Sequence, residues 1–354
     1  YKIGTFGREP KLFIFKEIFE DYKKRYPFPQ KGDLLFSVIG SIGRVVEYTG
    51  EDEYFQDSNV VWLQHNGSIV NSFLKQFYSI VEWEGIEGST IKHLYNRTIL
   101  GTKIRTPSRE EQTKIGNTFQ KLDSLINQHQ QKHNKLSNVK KAMLEKMFPK
   151  QGETTPEVRF KGFSGEWEKS SLFEEAVVSA GFPFDSADFS DSGGLLVITN
   201  GNIQNSSSAV DGKVGNRIAS EKVTSLSQYI LNVGDVLVTM DGSVGRTAKV
   251  IGSGQILAQR VGRLVAKNNT EFLYQSLNTG AFLDAMTTIS HGGTIKHISL
   301  TEIGSYILLV PKNIEEQEKI GSYLQTLDAL IYQHQQQITK FNNVKQACLS
   351  KMFV

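Results

Sequence analysis

A 41-residue segment occurs twice in this chain, and the two copies align with each other without a gap. Residues 108–148 and 313–353 align at a constant offset of 205, and 24 of the 41 aligned positions are identical. The identities include Gly116 with Gly321, a residue type that helix composition alone does not favour. Because each copy follows a domain-sized stretch, the repeating unit is a domain followed by this segment.

The repeated segment is predicted to be a long helix. Each copy begins, just after a proline, with a capping-box pattern, Ser108-x-x-Glu111 and Asn313-x-x-Glu316. Alternating steps of four and three residues then trace a heptad seam in each copy. The seam comprises Ile115, Phe119, Leu122, Ile126, His129, His133, Leu136, Lys140, Met143 and Met147, and then Ile320, Leu324, Leu327, Ile331, His334, Ile338, Phe341, Lys345, Cys348 and Met352. We expect two helices of roughly 55 Å that pack as an antiparallel coiled coil.

The stretches before the two helices repeat more weakly. A Gly-Asp-aliphatic strand and a Gly-Ser-x-Gly-Arg turn occupy 32–44 and 234–246, and Thr-Ile-Lys-His occupies 90–93 and 294–297. The offset rises from 202 to 204 between these motifs, as insertions in surface loops would produce. The intervening sequences diverge, which indicates two domains that share a scaffold and differ in what they present.

Secondary-structure signals in both domains predict the α+β fold class, with irregular, glycine-rich sheets. Short runs of β-branched and aliphatic residues bounded by Gly, Asp, Asn or Pro predict strands. They are 33–39, 60–63, 195–199, 235–240, 262–266 and 306–310, while apolar spacing predicts helices over 70–80 and 271–286.

These patterns divide the chain into four segments. They are a first domain over 1–107, a spacer helix over 108–148, a second domain over 149–312 and a second spacer helix over 313–354. Residues 149–202 have no counterpart in the first domain. We interpret the first domain as truncated at its N-terminal side.

Composition excludes several classes of protein. Of the 354 residues, 39% are hydrophobic and 22% are charged, as in soluble globular proteins. No apolar run approaches the roughly 18 residues that span a bilayer, so we expect no membrane partner. The single cysteine, Cys348, excludes an internal disulfide and a cysteine-based zinc cluster, and a reducing, cytoplasmic setting is expected. The net charge of +3 does not by itself indicate a nucleic-acid partner.

The repeated motifs hold the candidate binding residues. The Gly-Ser-x-Gly-Arg turn presents successive backbone N–H groups beside an arginine, which suits a phosphate, but a plain tight turn with an exposed arginine fits equally well. The Thr-Ile-Lys-His loop supplies a hydroxyl, a cation and an imidazole for a polyanion, although its repeated isoleucine indicates a partly structural role. The candidate DNA-binding residues are Ser41, Arg44, Thr90, Lys92, His93, Ser243, Arg246, Thr294, Lys296 and His297.

The sequence lacks the common motifs for methyl transfer, nucleotide hydrolysis and acyl transfer. The sequence 160–165 (FKGFSG) faintly echoes a methyltransferase glycine loop, but it lacks a preceding apolar strand. The chain has no Asn-Pro-Pro-aromatic or Asp-Pro-Pro-aromatic motif, no Walker A loop and no nucleophile elbow. We therefore predict no catalytic residue and no metal site.

Together these features resemble the specificity subunit of type I restriction–modification systems. The resemblance covers the whole chain and is carried by 156–167 (PEVRFKGFSGEW), the two repeated motifs and the Glu-Glu-Gln…Leu-Asp…Lys-Met-Phe helices. It implies a non-catalytic protein whose two target recognition domains each read one half of a split, asymmetric site in double-stranded DNA. The helices would set the half-site spacing and dock two modification subunits.

The resemblance also implies where the chemistry lies. The modification subunits would bind S-adenosylmethionine and methylate adenine, and restriction subunits would use ATP and Mg²⁺ to translocate and cleave DNA. No cofactor is expected on this chain itself. Two alternatives remain open: the recognition portion of a free-standing methyltransferase or restriction–modification enzyme, and a coiled-coil scaffold that binds proteins.

Overall fold

Two compact units make up the chain in its computed structural model, which describes residues 13–50, 59–190, 193–204, 207–219 and 224–353. One unit comprises residues 1–131 and 335–354, and the other comprises residues 132–334. Each unit therefore contains one globular domain, the first part of one long helix and the last part of the other.

The first unit is built around a three-stranded antiparallel sheet. Its elements are helices α1 (Lys16–Arg25), α2 (Asn71–Tyr78), α3 (Asn96–Gly101) and the start of α4 (Arg109–Met147), with strands β1 (Leu34–Ser37), β2 (Val45–Glu47) and β3 (Val60–Trp62). The strand order is β2-β1-β3. Strand β1 is buried along its whole length. Alternate side chains of a strand point to opposite faces, and Phe36 and Leu35 accordingly lie in two different apolar clusters.

The second unit contains three small sheets. Its helices are α5 (Leu172–Glu175), α6 (Thr270–Leu277), α7 (Ala281–Ile289), α8 (Leu300–Gly304) and the start of α9 (Ile314–Met352). Its strands are β4 (Glu168–Ser171), β5 (Ala176–Ala180), β6 (Phe189–Ser190), β7 (Leu195–Ile198), β8 (Arg217–Ile218), β9 (Val236–Thr239), β10 (Thr247–Lys249), β11 (Gln255–Leu257), β12 (Val261–Ala266) and β13 (Ile307–Val310). The sheets have the orders β10-β9-β12-β5, β11-β7-β8-β6 and β13-β4.

The sheet of the first unit recurs inside the second. Strands β10-β9-β12 repeat the antiparallel arrangement of β2-β1-β3, and β5 is added beyond β12. The Gly-Asp pair before the central strand takes the same turn in both units, with φ of 94° at Gly32 and 98° at Gly234. Only glycine adopts this conformation without strain, which explains why the pair recurs.

All six predicted strands are confirmed, with boundaries that differ by one or two residues. The prediction that 271–286 is helical is confirmed, but the segment forms two helices, α6 and α7, which are separated by 278–280 with φ of 98° at Gly280. The predicted helix over 70–80 corresponds to α2. Sequence patterns missed the other seven strands of the described residues, which are β2, β4, β5, β6, β8, β10 and β11. All but β5 have only two to four residues, which is too little periodicity to predict a strand.

The two repeated segments form helices α4 and α9, each of 39 residues. In the first unit, Lys345 Nζ lies 2.6 Å from Asp123 Oδ1, and the His129 and Phe341 rings are 5.6 Å apart. The later residue of α4 thus contacts the earlier residue of α9, which shows that the two helices pair antiparallel in this unit.

The second unit contains the counterpart of that ion pair. Lys140 Nζ lies 2.6 Å from Asp328 Oδ1, and both residues match their counterparts at the offset of 205. The two lysines that interrupt the apolar seam are therefore the cations of matched ion pairs. A further polar chain continues from Asp328 Oδ2 to Gln275 Nε2 at 2.8 Å and on to Glu271, which also pairs with Lys249.

The predicted seam is buried or half-buried along both helices except at Met352, its last position in α9. Phe119 and its counterpart Leu324 are both fully buried, and burial of such a side chain contributes roughly 1.5–3 kcal/mol. Met352 was wrongly placed on the seam: it is 44% exposed, and Leu349 is buried in its place. At this end of α9 the buried position is therefore three residues earlier than predicted, because Leu349 packs with Phe119 in an apolar cluster.

Only part of the predicted capping holds. Ser108 Oγ accepts from the Glu111 backbone N–H at 3.3 Å, as expected. Glu316, however, does not complete a capping box: its carboxylate accepts from Arg159 Nε at 2.6 Å and Nη2 at 2.7 Å. The segment 156–167 thereby binds the first turn of α9, and its Trp167 is buried in the core of the second unit. In the part of the chain that the structure describes, none of the helices combines the length and apolar character needed to cross a bilayer.

Candidate nucleic-acid interface

The Gly-Ser-x-Gly-Arg turn has the same internal hydrogen bonds in both domains. In the first, the Ser37 hydroxyl donates to the Ser41 carbonyl and accepts from the Arg44 N–H at 3.1 Å. In the second, Thr239 does the same, with its hydroxyl 2.5 Å from the Ser243 carbonyl oxygen and 3.0 Å from the Arg246 nitrogen. A hydroxyl at the end of the central strand thus fixes the backbone of each turn.

Glycines at both ends of this turn adopt left-handed conformations. The φ values are 71° and 83° at Gly40 and Gly43, and 68° and 77° at Gly242 and Gly245. Side chains other than glycine rarely adopt this region. The two glycines of the motif are therefore required by the geometry of the turn in each domain.

The Thr-Ile-Lys-His loop lies directly beside the turn. The Gly40 N–H donates to the Lys92 carbonyl at 3.0 Å, and the Gly242 N–H donates to the Lys296 carbonyl at 2.8 Å. These bonds join two motifs that are about fifty residues apart in each domain. The ten predicted residues therefore form one compact site per domain.

The loop itself is a tight hairpin that begins at a glycine. In the first domain, Glu87 and His93 exchange two backbone hydrogen bonds, and in the second, His291 and His297 do the same. Gly88 and Gly292 both have φ of 101°, and a Cβ at either position would collide with the carbonyl oxygen three residues later. The loop tip is held in one conformation by this packing of backbone on glycine.

Most of the predicted side chains reach solvent. Those of Ser41, Arg44, Thr90, Lys92, Ser243, Thr294, Lys296 and His297 are exposed, and those of His93 and Arg246 are half-buried. Each domain thus brings an arginine, a lysine, hydroxyls and an imidazole together on two adjoining loops. Such groups pair with phosphate oxygens and sugars.

Two expectations about these motifs are wrong. The amides of Gly40, Gly43 and Arg44 already donate to protein acceptors, so the turn does not offer them as a phosphate cradle. The repeated isoleucine is not a structural anchor, because Ile91 is 56% and Ile295 is 66% exposed. The recurring apolar side chain instead stands at the surface of both loops.

The second domain has an acidic centre that the sequence motifs did not reveal. Asp241, which directly precedes the turn, accepts from His297 Nδ1 at 2.5 Å and from Arg260 Nη1 at 2.5 Å. Partial burial opposes ionisation of Asp241, but the hydrogen bonds from Arg260 and His297 outweigh it and hold the pKa of this carboxyl below its usual range. The carboxylate therefore ties the turn, the loop and Arg260 together.

A second contact holds the loop of this domain to α8. His291 Nε2 lies 2.6 Å from Glu302 Oε1. Glu302 also caps α8, and the Ser299 backbone N–H together with the Ser299 hydroxyl and His291 lowers the pKa of its carboxyl. Both histidines of this hairpin are thereby bound to carboxylates.

The first domain has different neighbours at the same site. Ile39 occupies the position of Asp241, and Glu87 occupies that of His291. Glu87 pairs with Arg97, whose guanidinium lies 5.7 Å from the centre of the Tyr95 ring. A recess of about 790 Å³ beside the loop is lined in part by His93, Tyr95 and Arg97.

Sequence reasoning missed Asp241, Arg260, Tyr95 and Arg97. These residues differ between the two domains, so the internal repeat gave no signal for them. The only signal was position: Asp241 directly precedes one motif, and Tyr95 and Arg97 closely follow the other. Among the described residues, no group of three or more His, Cys, Asp or Glu side chains could hold a metal ion.

Comparison with known proteins agrees with the architecture. Residues 1–138 and 164–341 match the family of the type I restriction modification DNA specificity domain. The chain belongs to this family. The match includes both copies of the turn and of the loop, and most of each long helix.

Two specificity-family relatives and one solved structure extend the comparison. A Haemophilus influenzae protein named as a type I restriction enzyme specificity subunit is 45% identical over 128 residues, which are 36% of this chain and 33% of that protein. The MjaVIII specificity subunit of Methanocaldococcus jannaschii is 24% identical over 292 residues, which are 77% of this chain and 67% of that protein. The crystal structure of the type I system S subunit from M. genitalium has the same fold, with a TM-score of 0.61 and 17% identity over 92% of this chain and 83% of that one.

Proposed function

We propose that this protein is the DNA-recognition subunit of a type I restriction–modification complex. Each domain would read one half of a bipartite, asymmetric target in double-stranded DNA. The observation that carries the proposal is the recurrence of one exposed site, built from the same turn and loop, in two domains of a specificity-family chain. The surroundings of the two sites differ, as two different half-sites require.

The shared residues suit contact with the DNA backbone. Arg44, Lys92, Arg246 and Lys296 are identical between matched positions, whereas base readout must differ between half-sites. Phosphate contacts fix register and orientation and carry no sequence information. The shared cations would therefore position each domain on DNA, and the residues that differ would select bases.

The protein would act without catalysis of its own. It carries no recognised motif for methyl transfer or nucleotide hydrolysis. Two modification subunits that bind S-adenosylmethionine would methylate adenine, and restriction subunits that use ATP and Mg²⁺ would translocate and cleave. The outward faces of α4 and α9 would dock the modification subunits, and the assembly would work in the cytoplasm.

Methylome sequencing tests the proposal most directly. The protein is co-expressed with its modification subunits in a host that lacks other methyltransferases, and methylated adenines are mapped across the genome. We expect a single split motif with a fixed spacer. Methyl transfer by the purified chain alone would support a free-standing enzyme instead. Salt-insensitive protein binding without a DNA footprint would support a scaffold.

Salt dependence tests the role of the shared arginines. Arg44→Ala and Arg246→Ala should each weaken DNA binding across all sequences and reduce the slope of log K against log salt by about one. The preferred motif should not change. A variant that loses one base preference while keeping the wild-type salt slope would contradict the assignment of these arginines to phosphate.

A further inference from the structure

Arg260 and Asn59 occupy the same backbone position in the two domains. The Arg260 carbonyl accepts from the Met240 N–H at 3.1 Å, and the Asn59 carbonyl accepts from the Val38 N–H at 3.0 Å. The following strands then pair in the same register, with Val261 opposite Thr239 and Val60 opposite Ser37. One scaffold position next to the turn and the loop thus carries a different polar side chain in each domain.

The Arg260 side chain is bound to one carboxylate and is otherwise largely exposed. Its Nη1 lies 2.5 Å from Asp241 Oδ2. The Arg260 side chain is 61% exposed, whereas that of Asp241 is 13% exposed. Asp241 is fixed in turn by His297. An arginine has five N–H donors, and within the described ranges only the Nη1 bond to a protein acceptor is formed.

The backbone of Arg260 supplies a separate observation. Its φ of 69° is the only positive value at a non-glycine residue in the described part of the chain. This conformation is strained for an L-residue and persists where the surrounding structure enforces it, most often at functional sites. Here the backbone conformation of Arg260 determines the direction of its side chain at the start of β12.

We propose that Arg260 reads a guanine in the half-site of the second domain, with Asp241 as the residue that positions it. The inference rests on the proposed function and names one base contact of that site. An arginine fork donates two hydrogen bonds to O6 and N7 of guanine in the major groove, and a fixed fork discriminates best. A carboxylate behind the guanidinium fixes it without occupying its other donors.

The difference between the domains agrees with a reading role. Residues that contact phosphate can be the same in both domains, whereas the set of residues that selects bases has to differ when the half-sites differ. The first domain has Ile39 in place of Asp241 and Asn59 in place of Arg260. It therefore lacks the carboxylate–guanidinium pair and would not read guanine at this position.

The test uses the intact protein in complex with its modification subunits. Methylated motifs are mapped for the wild type and for Arg260→Ala, Arg260→Lys and Asp241→Asn. Arg260→Ala should relax one G·C position in one half-site, with discrimination falling about ten- to a hundredfold. Arg260→Lys should also relax that position, because an ammonium lacks the fork. The half-site read by the first domain should stay the same.

Positioning by Asp241 has its own readout. Asp241→Asn should relax the same base position as Arg260→Ala, and the double variant should be no more relaxed than Arg260→Ala alone. Lys169→Ala, at an exposed cation on β4 of the same domain, is the matched control and should keep the wild-type motif.

Two outcomes overturn the proposal. One is an unchanged motif in Arg260→Ala, and the other is weaker binding to all sequences without relaxation at any base. Neither affects the proposed function if the wild type still specifies a split motif. If the wild type specifies no motif, the proposed function itself fails. Circular dichroism and assembly with the modification subunits show whether each variant is folded.

Discussion

Asp241 is a charged residue of the second domain whose position in the first domain is occupied by Ile39, although both domains carry the same two motifs. The sequence predicted the turn and the loop because their residues repeat. It did not predict that Asp241 joins Arg260 and His297, since these contacts connect residues 19 and 56 positions apart. Side-chain pairing at such separations depends on the folded sheet, which one sequence does not reveal.

The charge on Asp241 should stabilise the fold at neutral pH. The pKa of this carboxyl in the folded protein lies below its ordinary value, so the ionised form favours folding above the unfolded-state pKa of about 3.9. That contribution disappears as the pH falls through the lower, folded-state pKa. Asp241→Asn should therefore lower the free energy of unfolding by about 1 kcal/mol at pH 7, and by less as the pH falls below about 4.

Urea unfolding at a series of pH values measures this difference. Asp21→Asn is the control, because its partner Arg25 is 67% exposed on a helix surface and such pairs contribute about 0.3–0.5 kcal/mol. A difference between Asp241→Asn and wild type that grows towards acid pH would contradict the assignment.

Individual elements were the most predictable level of this protein. The 41-residue repeat, its seam and the six strands were readable because apolar periodicity and Gly or Pro boundaries are local signals. The break at Gly280 was not, since apolar spacing continues on both sides of it. Glu316 was assigned to a capping box by its spacing, but it binds Arg159, a residue 157 positions away.

The repeated glycine of the long helices illustrates how tertiary contact overrides local preference. Alanine is about 1 kcal/mol better than glycine inside a helix, yet both copies have glycine. A Cβ on Gly116 would lie 2.7 Å from Ser72 Cβ and 3.0 Å from the Phe73 nitrogen, and one on Gly321 would lie 3.0 Å from the Phe272 nitrogen. Each long helix thus packs closely against the start of α2 or α6.

Gly116→Ala should destabilise the protein by about 1–2 kcal/mol, because overpacking costs more than helix propensity returns. Gly101→Ala, at the end of α3, should be neutral or stabilising, since a Cβ there meets nothing within 4 Å. Chemical denaturation of both variants measures these effects. The explanation is wrong if the two substitutions shift stability in the same direction.

The matched ion pairs of α4 and α9 differ in burial, and their contributions should differ accordingly. Lys140 and Asp328 are 15% and 16% exposed, and Asp328 also accepts from Gln275. Lys345 and Asp123 are 21% and 35% exposed. Removal of one partner from a buried pair leaves an uncompensated charge, which is costlier than removal from an exposed pair.

We expect Asp328→Asn to lower the free energy of unfolding by about 2 kcal/mol and Asp123→Asn by about 1 kcal/mol. Glu110→Gln, which removes the exposed pair with Lys114, should cost less than about 0.5 kcal/mol. Equilibrium denaturation ranks the three variants. An equal cost for all three would mean that burial does not control the strength of these pairs.

At the scale of the whole molecule, the length of the repeated helices is the most tightly kept feature. The domain motifs drift in offset from 202 to 204, while the two helices match over 41 positions without a single insertion. Loops tolerate changes in length far better than packed elements do. If the helices set the gap between half-sites, as the resemblance to specificity subunits implies, their length is under a constraint that the domain loops escape.

Lengthening both helices should therefore lengthen the spacer of the methylated motif. Four residues inserted after Asn134 and four after its repeat counterpart Thr339 add about 6 Å to each helix, close to two base pairs at about 3.4 Å per pair. Four residues are slightly more than one helical turn, so the seam is shifted only a little. Methylome sequencing should show both half-site sequences unchanged and a spacer one or two base pairs longer. Four residues inserted after Gly152, between α4 and β4, are the control and should leave the spacer as it is. A half-site lost with the spacer unchanged would mean that the helices do not measure the distance between the two recognised sequences.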